Sequence, residues 1–316
     1  MAVLDRSGAD DLITSTLDNI RDGLTEQWAM GNILTKKLME RGNMDELDGG
    51  NQLVENIEYQ GSTTTGWVSS SAIVPVGITP ILKQATFLWA VLAGSIGIDD
   101  HEMAKNSGKH QMVNLLTARI NNVKEQFDQD LELALVGQTT PNADTMWSLL
   151  DIIDASNPAL ANFGGINRDT FAFWQATEIV SGAFATQGLE DMRTGQLTVS
   201  KGGKEKPDLY ISTQAIYEAY LARLTPFERL AKTADLEFNH VAFDGKPFVF
   251  SEQMTAQTLL GINTKYTRLK INKKMKFLNQ PFTRAEGGQS KSAVIQLMAQ
   301  LTSRRPASNF KLTSVS

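Results

Sequence analysis

The 316-residue sequence has no cysteine, 3 histidines, 9 prolines and only 8% aromatic residues. Without cysteine there is no disulfide, no thiolate nucleophile, no thiolate zinc site and no thiolate-held iron–sulfur cluster. No apolar run of about 18 residues free of charge occurs, so an ordinary membrane span is excluded. Mean hydropathy is -0.21. The opening MAVLDRSGADDL lacks the basic start and apolar stretch of a signal peptide, and no Asn-x-Ser/Thr sequon exists. A cytosolic, non-secreted product is the expectation.

Chemistry-bearing patterns are equally scarce. His101 sits among Asp99, Asp100 and Glu102, but HEMAK is not HExxH, because Lys105 stands at the fifth position. GGQSKS lacks the phosphate-loop spacing, and GAFATQG, from Gly182 to Gly188, is not GxGxxG. No GxSxG elbow is present. No catalytic, cofactor-binding or metal-binding residue is nominated, and the chain is read as not an enzyme.

What is present is apolar material and an uneven charge. At 41% hydrophobic the chain is far from a disordered composition, and its length suits roughly two domain-sized units. Residues 1–58 carry 12 acids and 5 bases, residues 59–262 carry 22 and 14, and residues 263–316 carry 1 and 11. The basic final segment has two readings. It faces nucleic acid, or it is a solvated strand face and electrostatic partner for the acidic N-terminus.

Periodicity supplies the elements. Leu12, Ile13, Leu17, Ile20 and Leu24, continued by Trp28, Leu34 and Leu38, predict helix over 9–41. QLVENIEYQ and ITPILKQATFLWAV predict two strands around a long Gly/Ser/Thr-rich tip. Trp67 and Val68 in that tip either fold back onto their own core or meet a partner. Met112, Leu116, Ile120, Val123, Phe127, Leu131 and Leu135 form one stripe, predicting a long helix over 108–137 that Gly137 ends. PDLYIST reads as a buried strand, QAIYEAYLARL as an amphipathic helix, and Asp244-Gly245 as a hairpin turn. TKYTRLKINKKMKF and SKSAVIQLMAQLTSR read as two long strands around Glu286-Gly287-Gly288.

The order of these stretches resembles the tailed-bacteriophage major capsid protein of the Hong Kong 97-type fold. PDLYISTQAIYEAY (207–220) is similar to the family's axial-domain strand and helix. FDGKPFVFSEQM followed by GINTKYTRLKIN (243–272) resembles its entry into the peripheral-domain strands. AVIQLMAQLTSRRPASNFKL (293–312) resembles its last strand and tail. The resemblance implies an α+β fold with an N-terminal arm (1–50), an extended β-hairpin loop (51–95), a peripheral domain with spine helix and long strands (96–140 and 263–303), an axial domain (141–262) and a C-terminal tail (304–316).

It further implies a subunit that assembles as pentamers and hexamers into an icosahedral shell around double-stranded DNA, held without sequence specificity. Portal, scaffolding and decoration proteins are the other implied partners, no membrane is involved, and the place is the virion, assembled in host cytoplasm. The alternatives are an encapsulin-like nanocompartment shell or an α/β enzyme. The tip 61–77 has no lysine and Lys83 lies on the return strand, so the covalent crosslinking of some members is not expected. The expected contacts between subunits are Trp67 and Val68, and ion pairs joining Asp45, Glu46 and Asp48 to bases among Arg268, Lys270, Lys273, Lys274 and Lys276.

Overall fold

The computed structural model describes residues 32–61, 66–70, 80–99, 101, 109–137, 145–154, 157–200, 205–224, 241–284 and 290–315. The described residues open with α1 (Ile33–Glu40), β1 (Met44–Leu47), β2 (Leu53–Glu58), β3 (Leu82–Phe87), β4 (Ala90–Asp99) and α2 (Lys109–Val136). Then follow α3 (Leu149–Ile153), β5 (Asn162–Phe163), β6 (Ile166–Asn167), β7 (Thr177–Val180), α4 (Leu189–Val199), β8 (Leu209–Ser212) and α5 (Gln214–Arg223). They close with β9 (Val241–Phe243), β10 (Lys246–Phe250), β11 (Leu259–Ile262), β12 (Thr267–Asn272), β13 (Leu278–Arg284), β14 (Ser290–Ser303) and β15 (Phe310–Thr313).

The expected long helix is α2. Ile120, Phe127, Leu131 and Leu135 are buried and Val123 packs against them, as one stripe on a helix that lies against β4 requires. The side chains of Met112 and Leu116 lie outside the described set. Of the helix expected over 9–41, α1 covers its last part, capped by the Asn32 side chain accepting from the Leu34 N–H. Its earlier residues, Leu12 to Trp28, lie outside the described residues. The stretch TFAFWQATEIV (170–180) forms a 3₁₀ turn at Ala172–Trp174 followed by β7.

A five-stranded sheet is built on β14. β4 pairs along one side of it, from Ala90 opposite Ala299 to Asp99 opposite Ser290. Along the other side β12 and β13 lie end to end, so the single strand expected over 264–277 is broken. Ile271 faces Ala299 while Leu278 faces Gln296. The surplus residues form a 3₁₀ turn at Lys273–Met275, because Asn272 Oδ1 accepts from the backbone N–H of Lys274 and Met275. Phe277, at φ 51°, then turns inward against Phe127. The expected return strand is also divided. β3 pairs with β2, and from Ala90 the chain enters the five-stranded sheet as β4. Residues 44–47, placed in the arm by sequence, form β1, which adds in parallel to β12.

The six-stranded sheet has the order β7-β15-β11-β8-β10-β9. All four residues of β8 are buried, as its unbroken apolar run implies. Asp244 and Gly245 join β9 to β10 with φ 49° and 73°, the backbone a two-residue hairpin turn requires. The segment 304–316, expected as a tail, contributes a strand, β15. β15 sits inside the sheet, parallel to β7 and antiparallel to β11. The buried Phe310 ring occupies the space that a Cβ on Gly195 of α4 or Gly261 of β11 would need.

Candidate functional site

The hairpin β2–β3 forms a two-stranded sheet of its own. Its ladder runs from Leu53 opposite Phe87 to Glu58 opposite Leu82. Strand alternation turns Leu53, Ile57, Ala85 and Phe87 inward, where all are buried. The outer face exposes Val54 and Leu82. Beyond the ladder, Trp67 has a relative exposure of 106% and Val68 of 50%. Trp67 therefore does not fold back onto its own chain. Lys83 lies on β3 with its ammonium 3.2 Å from the centre of the Phe171 ring.

The inward row of β2 holds a carboxylate that the sequence reading missed. Glu55 is 1% exposed. Its oxygens lie 2.6 Å from Lys270 Nζ and 2.6 Å from Arg304 Nε, and accept from Thr302 Oγ1 at 3.3 Å. Burial alone would raise its pKa. The hydrogen bonds and charges of Lys270 and Arg304 outweigh burial and hold the carboxyl below its ordinary value. The available signal was a charge at an inward position, between Leu53 and Ile57, in an alternating strand.

The ion pairs named from the charge split form between the expected types of residue, but inside one chain. Arg268 meets Asp45 at 2.9 Å, Lys276 meets Glu46 at 2.5 Å and Lys273 approaches Asp48 at 3.8 Å. Lys270 goes to Glu55 instead, and Lys274 is exposed. Within the single chain, parallel addition of β1 to β12 sets these acids beside the bases.

Further along the molecule, an apolar groove of about 230 Å³ opens between α2 and β4, lined by Val91, Leu131, Leu133 and Met146, with Asp130 as its carboxylate. His101 is exposed, and the side chains of His110 and His240 lie outside the described residues. Among the described residues no group of three or more His, Asp or Glu could hold a metal ion, and no helix is long and apolar enough to cross a membrane.

No protein-family model matches the chain, and no curated protein matches it. Solved structures do. The capsid of cyanophage A-1(L) superposes with a TM-score of 0.59 at 12% identity, over 86% of this chain and 90% of that one. The capsid of the native GTA particle gives 0.60 at 11% identity, over 87% and 89%. The holo-SrpI encapsulin complex from Synechococcus elongatus gives 0.55 at 11% identity, over 90% and 89%. Identities this low speak for architecture, and the architecture is that of the tailed-phage major capsid proteins, the Hong Kong 97-type fold.

Proposed function

We propose that the chain is a major capsid subunit, assembling as pentamers and hexamers into an icosahedral shell that encloses double-stranded DNA. The observation that carries this reading is Trp67, fully exposed between the two strands β2 and β3 of a fold shared with shell subunits. An indole and the adjacent Val68 gain nothing from water there. They become buried only against another molecule, and a second copy is always at hand. Many repeated contacts of this kind hold a closed shell even where each is weak. The protein is structural, its place is the virion, and portal, scaffolding and decoration proteins are its further partners, met in the host cytoplasm.

The likeness to the encapsulin complex supports a second reading, a nanocompartment shell of the same fold. Size-exclusion chromatography with negative-stain microscopy of the purified chain tests both shells together. Closed particles are expected, and a small discrete oligomer under all conditions overturns them. Nuclease-resistant double-stranded DNA inside natively produced particles separates the phage head from the compartment.

A further inference from the structure

Beside its apolar contacts, the hairpin β2–β3 meets the five-stranded sheet through a buried cluster of charges, Glu55 with Lys270 and Arg304. We propose that this cluster is a releasable latch, which fixes the hairpin against the sheet at neutral pH and frees it on acidification. The proposal goes beyond the shell reading, because it concerns a motion of the single chain.

Burial of Leu53, Ile57, Ala85 and Phe87 already gives the hairpin an apolar seat. A leucine at position 55 would extend that seat without desolvating a carboxylate and an ammonium. Buried ion pairs replaced by apolar residues of similar size often leave a protein as stable or more so, whereas removal of one partner is strongly destabilising. The charges therefore contribute a defined orientation and a way to undo it.

The surroundings of Glu55 decide the direction of the switch. β12 presents Lys270, and its Arg268 is turned to Asp45 of β1. The segment after β14 presents Arg304, and β14 itself presents the neutral Thr302. On β3, Ala85 lies directly opposite, and Lys83 is drawn to Phe171. Ionised, Glu55 stands between two cations. Protonated, it no longer balances the neighbouring like charges of Lys270 and Arg304, and Lys270 is 8% exposed. The folded carboxyl titrates below its ordinary 4.5, so the latch is complete at neutral pH and is lost as pH falls below that value.

Hydrogen exchange of the full chain, read by mass spectrometry and corrected for intrinsic rates, tests this. Peptides covering 53–58 and 82–87 report the hairpin, and peptides covering 209–212 and 259–262 serve as reference. At neutral pH, Glu55→Gln should speed hairpin exchange by about tenfold or more with the reference unchanged. Wild type should show acceleration in the same direction when moved from neutral pH to a pH well below the carboxyl's ordinary 4.5. The double variant Glu55→Met with Lys270→Met should stay protected at both pH values, since Arg304, at 44% exposure, can turn to solvent. Should Glu55→Gln fail to fold, wild type against the double variant at low pH still decides. Equal hairpin protection in wild type at both pH values overturns the latch. So does acid acceleration that persists in the double variant, or acceleration shared by the reference peptides.

Discussion

Arg168 is fully buried, and its guanidinium donates to the carbonyls of Asp151, Ile152 and Asp154 at the end of α3, with the Phe163 ring 4.9 Å away. Burial pulls its pKa down to about 10 against the opposing pull of Asp154 and Asp151, so it stays charged at neutral pH. A lysine keeps the charge and loses the fork that reaches three carbonyls at once. Arg168→Lys should therefore cost about 1.5–3 kcal/mol, read as a lower denaturation midpoint at unchanged slope. An unchanged midpoint would mean that those carbonyls find other donors. Trp67 is the opposite case. Trp67→Ala removes nothing from the core, so folding stability should move by less than about 0.5 kcal/mol while particle yield falls. Normal particles from that variant would remove Trp67 from the contacts between copies.

Among the elements, α2 is the most legible, because a stripe of seven apolar residues at helical spacing has one structural solution. Phe127 stands in it at 4% exposure, against Phe277. Phe127→Asp would place a carboxylate there without a partner, and the chain should be recovered insoluble or unfolded by circular dichroism. Soluble protein with native spectra would show that this face tolerates water. The strand–turn–strand around Asp244-Gly245 and the buried β8 are legible for similarly local reasons. The break at Lys273–Met275 is not, since alternation carries on through it and only the Asn272 side chain dictates the turn. Nor is β15. Four residues, FKLT, carry little periodic signal, and their partners Thr177–Val180 lie far away in sequence. Glu55 shows the same limit at the candidate site: its charge suggests a surface, and only the pairing of β2 with the sheet reveals the cations that let it be buried.

At the scale of the molecule, the acidic beginning and basic end are complementary in composition, but composition does not say which copy supplies each partner. The chain satisfies much of that complementarity internally through β1 and β12. Lys273 and Asp48 are 63% and 83% exposed at 3.8 Å, so their pairing should contribute no more than about 1 kcal/mol. Lys273→Glu with Lys274→Glu should therefore leave empty particles normal in number and size by electron microscopy. A defect in empty particles that moderate salt reproduces would return these bases to the interface between copies. Retention of DNA, measured in filled particles, is where the same variant should fall short, because phosphates attract such bases without regard to sequence. The position of β15 also has a consequence in time. Polypeptides are made from the N-terminus at about 5–20 residues per second, so β7 waits on the order of ten seconds for Phe310–Thr313. Until then Gly195 and Gly261 border an unfilled slot where the Phe310 ring belongs. A chain stopped before Phe310 should be cleaved by protease within 205–224 and 259–262, which the full chain protects. The six-stranded sheet thus closes only after Phe310–Thr313 has been made.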